Sequence, residues 1–341
     1  MQKKVHLRIV GSTFFIFTVI ASQCFNIPPA HGDPESDTGI IEGWSCSEIY
    51  ADPSELDEGL SINAILRIEP SVNGRVYVVT DESGFFAIRD VPSGQYILHP
   101  LYSSPSYAIK VAVERNKTST VTVPTPEARI YLYLFNCSKQ EPPLYSADVR
   151  RALAMSIDRQ RLLEDLALAD RYPAANFIPK ELREGGWADL AKTFAYSPRD
   201  AEMLLQSVSP FACSITYNLI ENDMHGKIAE GIGRFWRALP GIEAVTPVGR
   251  EWGEYTMDYF AGNFDVIRLG WSLDSNSMLA FLREFFGEGN FLRYRNPMVV
   301  SLLDQAEAAL RSQSIPAYED AILTVHDILV DEAPAIPIYY Y

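Results

Sequence analysis

Asp274 ends the run Phe264-Asp265-Val266-Ile267-Arg268-Leu269-Gly270-Trp271-Ser272-Leu273-Asp274, and a carboxylate there could pair with a cationic ligand group. The alternating apolar residues before it predict a buried strand that carries Trp271, Ser272 and Asp274 to the rim of a sheet, where ligands tend to sit. Trp271, and Trp252 further upstream, could stack on a ligand side chain. Each residue also has a structural role open to it. Asp274 can form an Asx turn or cap a helix starting near Met278, and Trp252, Tyr255 and Trp271 can be core or hinge packing. Arg250, Arg268 and Arg295 could meet a carboxylate, and no motif singles one out.

Catalysis finds little support. His99, His225 and His326 stand far from any Ser, Cys or Asp in a triad pattern, and there is neither a HExxH nor a phosphate loop. Gly231-Ile232-Gly233 falls inside a helical pattern, and Glu251 with Glu254 fits a solvated helix face. Cys24, Cys46, Cys137 and Cys213 form no CxxC pair, so no metal site and no cofactor are expected. One disulfide among the three cysteines beyond the leader would leave one thiol over, and the pairing stays open. A net charge of -15 argues against nucleic acid, which needs a clustered basic face.

The elements that must position these residues fall into four stretches. Residues 1–32 read as a signal peptide, with Lys3, Lys4 and Arg8 before a short apolar run at 9–21. Cleavage after Ala21 or after Gly32 fits; lipidation at Cys24 is the lesser alternative, because Gln23 departs from the small residue a lipobox wants. The chain is therefore expected to be exported, to the periplasm or cell envelope. Residues 33–57, acidic and without sustained periodicity, read as an extended linker. Residues 58–126 alternate short β-rich runs with the turns Asp81-Glu82-Ser83-Gly84 and Pro92-Ser93-Gly94, predicting a small all-β sandwich. From 127 to 341 the pattern is α/β: strands near 130–136, 214–219, 242–248 and 336–341, and helices opened by Ser146 and by Ser197-Pro198 and near 251–261, 277–286, 297–311 and 316–331. The expected fold is multidomain, a sandwich followed by an α/β lobe.

Two family resemblances add to this. Thr80-Asp81-Glu82-Ser83-Gly84-Phe85-Phe86 with Val91-Pro92-Ser93-Gly94-Gln95-Tyr96 resembles carboxypeptidase regulatory-like (transthyretin-like) domains, which implies a spacer or interaction module. Residues 128–341 resemble the second lobe of the peptide, dipeptide and nickel class (family 5) of ABC-transporter solute-binding proteins. The motifs are Asp148-Val149-Arg150-Arg151-Ala152-Leu153 with Ser156-Ile157-Asp158-Arg159; Tyr172-Pro173-Ala174 with Phe177-Ile178-Pro179; Tyr196-Ser197-Pro198-Arg199-Asp200-Ala201; Trp252; Phe264–Asp274; and Asn296-Pro297 with the closing Glu332-Ala333-Pro334-Ala335-Ile336-Pro337-Ile338-Tyr339. The resemblance places Asp274 where the family presents an acid to a peptide's α-amino group. The Pro common just beyond that acid is replaced by Ser275-Asn276-Ser277, and the family's first lobe has no counterpart here.

Together these features imply a non-catalytic, exported solute-binding protein. Its ligand would be a peptide or small cationic solute held by Asp274, Trp271, Trp252 and Ser272. An ABC permease, or a protein supplying the missing lobe, would be its partner. The alternative is a cell-envelope interaction or adhesin-like protein that no longer binds a small ligand.

Overall fold

The computed structural model describes residues 37–47, 64–179 except 82, 102, 104 and 126, then 190, 192–274 and 278–341. The expected leader, Cys24 and the Ser275–Ser277 turn lie outside the described residues.

Seven strands come first: β1 (Thr38–Ser47), β2 (Ile65–Val72), β3 (Arg75–Val79), β4 (Phe85–Pro92), β5 (Gly94–Pro100), β6 (Ile109–Val113) and β7 (Thr118–Thr125). They form one sheet in the order β4-β1-β7 and another in the order β3-β2-β5-β6. Inward-facing Ile41, Phe86 and Val123 of the first sheet share an apolar cluster with Leu66, Ile68, Leu98 and Val111 of the second.

β1 corrects the linker expected at 33–57. It pairs antiparallel with β4 and parallel with β7. Its buried alternate positions are Gly39, Ile41, Gly43 and Ser45, so the inward face carries a single large apolar residue and gives almost no hydrophobic signal. The small residues are required by close approach. A Cβ on Gly43 would stand 1.7 Å from the Val121 carbonyl oxygen, and one on Gly39 2.6 Å from that of Glu114.

The second part is built on a six-stranded sheet of β8 (Glu127–Phe135), β9 (Tyr172–Pro173), β10 (Phe211–Asn218), β11 (Ile242–Arg250), β12 (Val266–Asp274) and β13 (Ala335–Tyr340). Their order is β11-β10-β12-β8-β13-β9. β10 runs parallel to β11 and β12, whereas β8 runs antiparallel to both β12 and β13. Every residue from Ile130 to Phe135 is fully buried, as expected of a central strand covered on both faces.

Among the described residues eight helices accompany the sheet: α1 (Ala147–Met155), α2 (Arg159–Asp165), α3 (Pro198–Leu205), α4 (Met224–Arg237), α5 (Trp252–Ala261), α6 (Met278–Phe286), α7 (Pro297–Arg311) and α8 (Ile315–Glu332). α4 buries Ile228, Ile232 and Trp236, spaced four apart on one face. It joins β10 to β11, and α5 then carries the chain back past β10 to β12. Crossovers of one hand that move in opposite directions lie on opposite faces of the sheet, which opens a crevice between the strands where the order reverses. Here that place is the carboxyl end of β10 and β12.

Two buried arginines tie the closing segment down. Arg150 on α1 donates to the carbonyls of Leu144, Tyr145, Glu332 and Ala333, the last two at the carboxyl end of α8 where a cation is favoured. Arg159 at the start of α2 donates to Pro337 within β13 at 2.8 Å and lies over the Phe194 ring. Both arginines belong to the motif that resembles the family, and this is its structural work: Arg150 ties the carboxyl end of α8 to α1, and Arg159 ties β13 to α2.

Candidate functional site

The pairing of β12 sets the geometry of the site. β10 meets β12 only at Ile215–Val266 and Thr216–Ile267 and then diverges, while β8 pairs with β12 all the way to Asp274, opposite Glu127. Beyond Ile267 one edge of β12 therefore has no strand partner among the described residues. The Arg268 carbonyl on this stretch accepts the Tyr255 hydroxyl.

Side chains alternate along a strand, so positions 268, 270, 272 and 274 share one face and 269, 271 and 273 the other. On the first face Arg268 is only 6% exposed, yet among the described residues its guanidinium meets no carboxylate. It donates from Nη1 to Asn218 Oδ1 at 3.1 Å, lies 4.7 Å above the Tyr131 ring, and leaves its Nε without an acceptor. Gly270 makes room for it, since a Cβ there would come within 2.9 Å of Arg268 Nη2. Tyr131 stacks on Tyr339 at 4.7 Å, and its hydroxyl shares a 3.2 Å hydrogen bond with His225 Nδ1. Burial, and then the charge of Arg268, push the His225 imidazole down to a pKa of about 3, so it is neutral at ordinary pH.

On the opposite face Trp271 packs edge-on against Phe285 of α6, with centroids 5.0 Å apart. Its indole N–H is buried and has no acceptor. Trp252, the first residue of α5, stacks on Tyr255 at 5.4 Å. Trp252 and Trp271 line a common cleft of about 40 Å3 with Tyr255, Tyr259, Phe260 and Glu284. That space holds a few waters or a small head group, far short of a peptide.

The structure thus brings Trp252 and Trp271 together and sets position 274 on the other face of β12 from Trp271. The backbones of Ser272 and Asp274 are placed on β12; their side chains lie outside the described residues. Among the three arginines singled out by sequence, Arg250 pairs with Asp258 at 3.0 Å and Arg295 is exposed, which leaves Arg268 as the one facing the crevice. Sequence reasoning passed over Asn218, His225 and Glu284. Asn218 carried a signal, since it ends a strand at the sheet's carboxyl rim. Glu284 lies in the apolar run Leu282-Arg283-Glu284-Phe285-Phe286, and nothing local marks it. Cys137 and Cys213 are free thiols, and among the described residues no group of three or more His, Cys, Asp or Glu could hold a metal.

A partly open α/β sheet with a free strand edge at its switch point has the geometry of a solute-binding lobe. The chain belongs to the bacterial extracellular solute-binding proteins, family 5 Middle, whose model matches residues 89–292. That match begins in β4, upstream of the start at residue 128 expected from the motifs. The periplasmic murein peptide-binding protein MppA of Escherichia coli is 30% identical over 228 residues, covering 63% of this chain and 41% of its own length. The oligopeptide-binding protein OppA of Bacillus subtilis is 27% identical over 230 residues, with the same coverage of 63% and 41%. Among solved structures, Haemophilus influenzae OppA in complex with the peptide RPPGFSPFR aligns with a TM-score of 0.54 at 27% identity, covering 63% of this chain and 43% of that one. The chain spans about two fifths of the length of the curated relatives it matches. These relatives are named as binding proteins, two of them periplasmic or structurally resolved with a bound peptide. No described helix is long and apolar enough to cross a membrane.

Proposed function

We propose that this protein binds peptides in extended form along the free edge of β12 and delivers them to an ABC permease. The observation that carries the reading is the edge of β12 beyond Arg268, which has no strand partner opposite β8 among the described residues at the carboxyl end of the sheet. A strand edge offers regularly spaced N–H and C=O groups, which an extended peptide matches whatever its side chains. Asp274 at the end of that edge receives the peptide's α-ammonium. Arg268, a buried cation with no acidic partner among the described residues, supplies the complementary site for a carboxylate. The names of the relatives support a peptide as the ligand.

Several finer points belong to the same proposal. The first seven strands act as a sandwich spacer like the regulatory-like domains, supported by the two sheets that share one core. The segment from 127 onward acts as one lobe, and a second surface closes over the ligand, either from further chain or from a partner protein. Export by a leader over residues 1–32 is part of the reading. So is the domain division at 126.

On an open face an ammonium–carboxylate pair is worth about 1 kcal/mol or less, so binding by this segment alone is weak and falls with salt. Calorimetry with a pool of short peptides tests this. N-acetylation of the peptide and Asp274→Asn should each weaken binding roughly fivefold, and together little more than either alone. Binding indifferent to both changes removes Asp274 from the site.

A second reading, an envelope protein whose old ligand face now meets another protein, is favoured by one feature. Met257 and Phe260 on α5 are 65% and 50% exposed, an apolar strip beside the cleft. Absence of any peptide binding at millimolar concentration would favour this reading.

A further inference from the structure

The cleft between α5, α6 and β12 contains a charge that the fold does not use. Glu284 lines it and makes no hydrogen bond or ion pair among the described residues. Its neighbour on α6, Arg283, turns instead to Asp304 at 3.0 Å and to Glu307 at 2.5 Å. The lining around Glu284 is aromatic: Trp252, Tyr255, Tyr259, Phe260, Trp271 and Phe285. Burial alone raises the Glu284 carboxyl above its ordinary range, and no cation offsets the cost. Arg268 also borders the cleft, but its guanidinium is engaged with Asn218 and the Tyr131 ring.

A half-buried carboxylate left without a counter-ion is an expensive arrangement unless something brings a cation to it. Aromatic walls add to the attraction for the same class of ligand, because ring faces are negative and attract a desolvated cation. The unpartnered indole N–H of Trp271 adds a donor on the same wall. One ligand satisfies all three features: a primary ammonium on an alkyl stem, followed by an amide carbonyl. The volume of about 40 Å3 fits the ammonium and its last methylenes and excludes a whole residue.

We propose that this cleft is a subsite for a lysine-type side chain, with Glu284 as its counter-ion, the α5 and β12 aromatics as its walls, and Trp271 Nε1 donating to the adjoining carbonyl. It makes basic side chains the favoured ones at one position of the bound peptide. In that sense it rests on the peptide-binding reading, but it is built on Glu284 and the α5, α6 and Trp271 side chains and not on Asp274, so the two can be separated.

The separating experiment uses Nα-acetyl-lysine methylamide and Nα-acetyl-norleucine methylamide, neither of which has an α-ammonium for Asp274 to read. Titrations of the full chain are followed through the indole ¹⁵N–¹H resonance of Trp271, assigned by its loss in Trp271→Phe. The lysine compound should shift that resonance and bind at least about fivefold more tightly than the norleucine compound. Glu284→Gln should abolish the difference, and Phe260→Leu should reduce it. Glu284 holds no other group in place, so Glu284→Gln is expected to fold normally, and an unchanged ¹⁵N–¹H spectrum outside the cleft checks this. Equal binding of the two compounds, no response to either at tens of millimolar, or a preference that survives Glu284→Gln overturns the proposal. The peptide reading fails separately, if free peptides bind no better than N-acetylated ones.

Discussion

The seam where α1 and α2 meet β13 and the crevice where β10 leaves β12 both bury arginines, but they treat them differently. At the seam Arg150 spends its donors on four backbone carbonyls, and Arg159 reaches Pro337, Ile157 and Phe194. At the crevice Arg268 has, among the described residues, a single side-chain hydrogen bond, to a neutral amide, and an idle Nε. Burying a guanidinium is costly, and well-placed acceptors offset the cost. Arg150 meets that condition in full, Arg159 in all but its Nη2, and Arg268 least among the described residues. Arg150 and Arg159 are therefore structural ties, whereas Arg268 is a charge held ready at the rim of the sheet.

The largest effect expected from this contrast is at the seam. Arg150→Met should cost about 3 kcal/mol or more of folding stability, because carbonyls of Leu144, Tyr145, Glu332 and Ala333 lose their donor in a buried setting. Urea unfolding measures it. A loss under 1 kcal/mol would show that the closing segment is held by packing alone.

An intermediate effect is expected from acid. His225 beside Tyr131 and Arg268 has a folded pKa near 3, below its unfolded value. Below pH 6.5 the unfolded chain takes up a proton that the folded chain refuses, so stability falls on acidification and continues to fall towards pH 3. Between pH 6.5 and 5 this one group removes about 2 kcal/mol. His225→Gln should flatten that part of the profile, and identical profiles for the two proteins would mean the imidazole is solvated.

The smallest effect is predicted for Arg268→Met. Its stability should change by less than about 1 kcal/mol in either direction, since it gives up one hydrogen bond and one desolvated charge together. Binding of peptides that carry a carboxylate should weaken in the same variant. A loss of stability as large as that of Arg150→Met would make Arg268 a structural tie and erase the contrast.

Much of the α/β part could be read from residues alone. The apolar spacing of α4 is local, read from the residues as Ile228, Ile232, Phe235 and Leu239, though the structure buries Trp236 and leaves Phe235 half-buried; the Pro-opened start of α3 is local too. The adjacency of β8 and β13 agrees with the two expected strands near 130–136 and 336–341. β1 was illegible because close approach to Val121 and Glu114 leaves room only for Gly at 43 and 39, so its inward face carries Ile41 as its one large apolar residue and the stretch reads as linker. At the site the sequence picked out Trp252 and Trp271 by residue type, and the structure places both on one cleft.

Sequence by itself determined what is set by near neighbours: the strand that ends in Trp271-Ser272-Leu273-Asp274, the helix starts, and the alternation that puts 271 and 274 on opposite faces. Only the tertiary structure decided which groups go unpaired. Whether β12 keeps a free edge depends on where β10 diverges, and whether Arg268 or Glu284 finds a counter-ion depends on side chains tens of residues away. Hydrogen-bond and charge satisfaction are properties of long-range packing, so no local pattern encodes them.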